Sequence, residues 1–148
     1  MIYEGDDSPD EVFFRIMLFK TFNKIETWEL LLRKFGQISW HEFDFKAYDV
    51  VLADARNARQ SIYSGAYIMP SGGSSFGHST KHSNHLRLLQ KMMEDSLCSK
   101  ICDAKSMQQV FDLLRSYPMI GDFLAYQYAT DINYSNLTDF DEMSFDRA

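Results

Sequence analysis

From residue 12 to residue 22, apolar side chains fall at Val12, Phe13, Phe14, Ile16, Met17, Leu18, Phe19 and Phe22. That set is too wide for one helix face, and it predicts a central helix buried on most sides. Ser8-Pro9-Asp10-Glu11 reads as its start: Ser8 can cap, Pro9 needs no N–H donor in the first turn, and Glu11 completes a capping box. A second helix, about Glu26 to Phe35, puts Trp28, Leu31, Leu32 and Phe35 on one face and ends at Gly36. A third runs from about Asp44 to Gln60, with Tyr48, Val51, Leu52 and Ala55 at helical spacing. Helices resume over about Thr80–Ser96 and Leu97–Asp103. Ser106 and Gln109 then form a second capping box, opening a helix that carries Met107, Val110, Phe111 and Leu114 and stops at Tyr117-Pro118. The last helix follows Gly121 and carries Phe123, Leu124, Tyr126, Gln127 and Tyr128 towards Asp131. Between the third and fourth helices, Ser61–Ser79 is a long irregular loop holding four of the seven glycines, and loops of this length are often functional. Seven helical segments without a convincing strand pair predict an all-α fold.

Composition narrows the class. A chain of 148 residues with 45% apolar and 15% aromatic content is neither disordered nor low-complexity, and its length suits one domain. We read residues 8–135 as the core and 136–148 as an acidic surface tail. No apolar run reaches the length of a membrane span, and the start lacks the basic residue and apolar stretch of a secretory signal. Cys98 and Cys102, the only two cysteines, are too few for a four-ligand structural zinc site. These features predict a reduced, cytoplasmic protein away from membranes.

The net charge of −6 argues against nucleic acid until it is located. Residues 1–11 carry five acids and no base, whereas residues 12–130 carry 14 Lys and Arg against 11 Asp and Glu. The middle of the chain is therefore slightly basic and compatible with a local polyanion site.

Four groups of residues can carry chemistry. Leu113–Ser135 has the layout of a helix-hairpin-helix, in which backbone N–H groups at the hairpin, here Ile120 and Gly121, contact a DNA phosphate. Met119 stands where such hairpins usually have a first glycine, and Asp122 puts a negative charge where the phosphate would sit. Asp131, Asn133, Tyr134 and Ser135 follow as a polar and aromatic cluster suited to a base edge or to shaping a helix end. His78, His82 and His85 share a face of any helix that includes all three, but neighbouring Lys81 and Arg87 disfavour a metal. Lys81, His82, His85 and Arg87 read better as a cationic edge for phosphate or pyrophosphate, with Ser71, Ser74 and Ser75 as hydroxyl donors. The segment is not a P-loop, because it lacks the Gly-Lys-Ser/Thr end and a preceding strand. Arg15, Lys20, Asn23, Thr27 and Trp28 form the last group. Arg15 and Lys20 are roughly 140° apart around the helix axis, so at least one is expected inside, with a salt bridge to Asp131 or Asp49 as the structural explanation.

The blocks FRIMLFKTFNKIETWELL, SGAYIMPS, KHSNHLRLLQKM and YPMIGDFLAYQYATDINYS together resemble the helical domain of 5-hydroxymethyldeoxyuridine DNA kinases and the related thymine-hypermodification pyrophosphorylases. The resemblance implies a helix-hairpin-helix DNA glycosylase-like bundle of about seven helices. It also implies a role on thymine-derived bases in DNA, whose 5-hydroxymethyl group is activated by phosphate or pyrophosphate and then replaced. By position the matching residues are Arg15, Lys20, Asn23, Trp28, Tyr67, Lys81, Gln127, Asp131, Asn133 and Tyr134. Family members usually carry more sequence before the first helix and a Gly-Pro-Gly segment after the acidic stretch, so residues 1–148 read as the central part of a larger domain. Without a P-loop kinase domain, ATP-dependent kinase activity is not expected of these residues by themselves.

The reading that follows is a domain engaging a flipped or single-stranded 5-substituted pyrimidine. Lys81, His82 and Arg87 hold the departing phosphate or pyrophosphate, and Tyr67 or Tyr134 stacks on the base. Arg15, Lys20, Asn23, Trp28, Gln127 and Asn133 complete the substrate contacts. Asp131 and Lys81 are the catalytic candidates, with Asp131 stabilising cationic character at the exocyclic carbon or positioning a nucleophile. DNA is the expected partner, alongside a kinase domain or partner chain; neither cofactor nor metal is expected. The alternatives are a non-catalytic nucleic-acid-binding or scaffolding module that needs a partner chain, and a remnant acting through protein contacts alone.

Overall fold

A computed structural model describes residues 6–65 and 70–141, and of Gly73 and Ser74 only the backbone. Among these residues the chain forms helices α1 (Pro9–Phe22), α2 (Ile25–Phe35), α3 (Phe45–Asn57), α4 (Gly73–Phe76), α5 (Lys81–Glu94), α6 (Leu97–Cys102), α7 (Met107–Arg115) and α8 (Asp122–Tyr134), with no strand. The seven expected helices are present, and the Ser61–Ser79 loop holds an extra single turn, α4. The fold is all-α. As its apolar pattern demands, α1 is central: Phe13, Phe14, Met17 and Leu18 are buried, and the helix packs against α5, α6 and α8. α3 lies on α5, α2 on α3, and α7 pairs with α8. An aromatic group of Phe14, Trp40, Phe43, Tyr48 and Phe35 fills one end, with Phe35 and Tyr48 stacked at 4.3 Å between ring centroids.

Several local expectations change. Pro9 does open α1 and Ser8 is its N-cap residue, but the Ser8 side chain makes no capping bond. Glu11 turns away to a different backbone. Its carboxylate accepts from Ser39 Oγ at 3.0 Å, Trp40 N–H at 2.8 Å and His41 N–H at 3.0 Å. A capping-box glutamate is thus spent on tethering the α2–α3 connection to α1. At α7 the box half forms: Ser106 Oγ accepts from Gln109 N–H at 3.2 Å, while Gln109 Oε1 takes the Lys105 N–H at 2.6 Å. Residues 137–140 are part of the packed body and not of a surface tail. Thr138 is buried, and Leu137 and Phe140 pack against the core. Asn133 holds this segment, its Oδ1 accepting from Thr138 Oγ1 and Phe140 N–H, each at 2.8 Å, and its Nδ2 donating to Phe140 O at 2.9 Å.

Candidate phosphate-binding cavity at the start of α5

The best-organised site lies where α5 begins. A cavity of about 440 Å³ is lined by Arg56, Gln60, Ser61, Ile62, Tyr63, Ser71, Ser79, Thr80, Lys81 and His82. Its floor is built by long-range bonds rather than by a regular element. Thr27 Oγ1 donates to Ile62 O at 2.8 Å and Ser64 N–H to Phe22 O at 2.8 Å, tying residues 62–64 to α1 and α2. Tyr63 then packs on Phe22, with ring centroids 5.0 Å apart, and donates its hydroxyl to His85 Nδ1 at 2.7 Å. His85 passes its other N–H to Pro70 O at 2.6 Å. Both imidazole nitrogens are satisfied in the neutral form, and burial pushes the ring down to about 4. The same burial pushes the Tyr63 hydroxyl up, so it remains a donor.

Lys81 lies over the Tyr63 ring, its Nζ 4.3 Å from the centroid. Desolvation lowers its pKa from the usual lysine value. Neither Lys81 nor Arg56 forms an ion pair with a described residue. The helix adds its own positive end: the N–H groups of Lys81, His82 and Ser83 have no partner among the described residues, and the first turn holds no acid. Two cations and the open N-terminus of α5 beside one cavity make a place for an anion.

Asn84, 1% exposed, pins the opposite wall. Its Nδ2 donates to Ser71 O at 2.9 Å and to His78 O at 3.0 Å, and its Oδ1 accepts from His78 N–H at 3.1 Å. Gly72 adopts φ +76°, and a Cβ there would overlap the sulfur of Met119. The α7–α8 turn therefore props the Ser61–Ser79 loop by a close approach that only glycine allows.

The expected cationic edge is not assembled as drawn. Of its four members only Lys81 and His82 line the cavity. His85 is buried and neutral. Arg87 stacks on Phe45 at 3.5 Å and bonds Gln90 Oε1 at 2.6 Å, both away from the lining set. His82, 1% exposed, has its pKa lowered by burial, and its Nε2 sits 3.2 Å from Asp49 Oδ1 but out of line for a hydrogen bond. His78 precedes α5 and packs on Phe45, so the three histidines do not share one helix. Among the described residues no group of three His, Cys, Asp or Glu is arranged to hold a metal. Ser71 does line the cavity. Tyr67 and the Ser74 side chain lie outside the described residues.

The remaining family-matching positions lie apart from this cavity. Lys20 on α1 pairs with Asp131 on α8 at 3.3 Å, each about a quarter exposed, which is the salt bridge anticipated for this group. Arg15 is buried and donates to Asp6 O at 2.6 Å. Arg15 and Trp28 line a separate cavity of about 370 Å³ with Glu11 and Ser39, and the buried Trp28 Nε1 has no hydrogen-bond partner. Asn23 ends α1 in the left-handed region at φ 53°. Asn133 is committed to residues 138–140, Gln127 is half-buried, and Tyr134 is 84% exposed. At the expected hairpin contact Ile120 is buried, and Asp122 pairs with Arg115 at 2.9 Å. Sequence reasoning missed Arg56, Tyr63, Thr80 and Asn84. Tyr63 stood in the same Ser61–Ser79 loop as Tyr67, but Arg56 offered no signal, since only tertiary packing turns the end of α3 towards α5.

A comparison with protein-family models places residues 1–148 in the family described as 5-hmdU DNA kinase, helical domain. The chain belongs to that family. No curated protein and no solved structure matches it. Among the described residues no helix is long and apolar enough to cross a membrane.

Proposed function

We propose that this domain serves DNA base hypermodification by binding a 5-hydroxymethyluracil-type base that carries phosphate or pyrophosphate, presented flipped or in single-stranded DNA. The observation that carries the proposal is the cavity at the start of α5, which Lys81, Arg56 and the first residues of the helix line, with no acid in the helix's own first turn. There the phosphate is the counter-charge of Lys81 and Arg56, which neutralise it as a leaving group, and His82 contributes from the wall. Arg56 replaces Arg87 in this assignment. Asp131, held by Lys20, acts outside the phosphate subsite. The test is binding of a single-stranded oligonucleotide containing one 5-phosphooxymethyluracil, followed by nucleoside mass spectrometry for turnover. Tighter binding than to the unphosphorylated 5-hydroxymethyl oligonucleotide supports the reading; equal binding of the two overturns it.

A second reading, a binding module completed by a kinase domain or other partner chain, draws on α8. Phe123 and Tyr134 are 59% and 84% exposed there. Binding without turnover until a kinase domain is added favours that reading.

A further inference from the structure

One wall of the cavity is polarised in the opposite sense from Lys81. Ser83 Oγ donates to Asp49 Oδ1 at 2.5 Å. Thr80 Oγ1 is hydrogen-bonded to Ser83 Oγ. A carboxylate only accepts, and serine has one hydroxyl proton, so Ser83 spends its proton on Asp49 and Thr80 must donate to Ser83. The direction of the whole chain is thereby set, from Thr80 to Ser83 to Asp49. Thr80, unlike most helix caps, makes no bond to the N–H groups of its own helix. It lines the cavity with its proton already committed, so it offers the interior lone pairs alone. The cavity thus has a cationic end and an acceptor end on neighbouring residues, and a phosphate oxygen is repelled from the second.

We infer that the Thr80–Ser83–Asp49 relay selects the base: Thr80 Oγ1 receives the imide N–H of a uracil-type pyrimidine whose 5-phosphate sits on Lys81 and Arg56. This rests on the phosphate reading above. A cytosine-type base presents a ring nitrogen lone pair in that position, and two acceptors facing each other are both left unpaired. Sites built to pair a ligand N–H reject an analogue lacking it more strongly than apolar pockets reject a shape change. Thr80, with Ser83 and Asp49 behind it, is a specificity-determining group.

The test uses the full chain and two single-stranded oligonucleotides, one with 5-phosphooxymethyluracil and one with 5-phosphooxymethylcytosine. The wild-type protein is expected to bind the uracil form about tenfold or more tightly over the cytosine form. Thr80→Val, which keeps shape but removes the acceptor, and Ser83→Ala, which frees the Thr80 hydroxyl to turn, should bring the ratio to about threefold or less. Thr80→Ser retains the relay and should retain the preference, so a fold defect is separated from a lost contact. Lys81→Ala should weaken both oligonucleotides equally and leave the ratio alone. A wild-type ratio near one, or a ratio unchanged in Thr80→Val, overturns the inference while leaving the phosphate reading intact. Failure of the wild type to bind either oligonucleotide removes the phosphate reading and the inference together.

Discussion

The N-termini of α5 and α8 have the same backbone chemistry and opposite surroundings. Each presents the positive end of a helix. At α8 the chain supplies its own anion: Asp122 occupies the first turn, and Arg115 balances it at 2.9 Å while also donating to Ile120 O at 3.3 Å. The turn before α8 is filled from within, with Ile120 buried and Met119 on Gly72. At α5 the first turn has Lys81 and His82, no acid, and a cavity in front of it. A hairpin resemblance directs attention to α8, yet it is α5 whose own first turn holds no acid and opens on a cavity. The difference teaches that a helix terminus becomes a candidate site through what the chain leaves out of its first turn.

The largest test of this contrast removes the wall on the α5 side. Asn84→Ala strands the carbonyls of Ser71 and His78 and the N–H of His78. Its expected cost is about 2–4 kcal/mol in a urea unfolding curve, with loss of any oligonucleotide binding.

Acid should act nearly as strongly on the same side. His85 is held down to about 4 in the folded chain, against 6.5 ordinarily. Between those values the unfolded chain takes up a proton that the folded one refuses, so stability falls as pH drops through that window. The loss is of order 3 kcal/mol by pH 4, and stability should be insensitive to this ring above pH 7. A His85→Phe chain whose melting temperature keeps the full acid dependence would assign that dependence elsewhere.

Removing charge sharpens the contrast at smaller scale. Lys81→Ala and Arg56→Ala should each weaken binding of the phosphorylated oligonucleotide about tenfold at low salt and flatten its salt dependence. Arg115→Ala should leave binding within about twofold, and because its ion pair with Asp122 is exposed, stability within about 1 kcal/mol. Equal losses at Arg115 and Lys81 would erase the distinction between the two helix ends.

The smallest effect is expected at the α7–α8 turn. Met119 holds φ 68°, a region costly for a side chain. Met119→Gly relieves that strain and loses the contact with Gly72, so the net change in stability should be within about 1 kcal/mol, read by thermal melting.

Local pattern carried the helices well. The breadth of the apolar set in α1 matches its near-complete burial, and Gly36 ends α2 at φ 78°. The Lys20–Asp131 pair was legible because a charged residue on a buried helix needs a partner nearby. What pattern missed depended on long-range geometry. Glu11 fits a capping box by spacing but finds three donors 28 to 30 residues away. The histidines share a face only in a helix containing all three, and α5 starts at Lys81, three residues too late. Arg87 is close to Lys81 in sequence yet faces Phe45, while Arg56, on a different helix, lines the cavity. No local rule distinguishes those two arginines. Only the packing of α3 on α5 does.

The approach of Met119 to Gly72 makes side-chain volume a shared possession of two loops far apart in the sequence. Bulk gained at position 72 has to be surrendered at position 119, and even then the left-handed backbone at 72 strains any side chain. Substitution at these two sites is therefore one-sided: drift can trim the methionine, but a side chain gained at 72 gives a chain whose loop no longer closes over the start of α5.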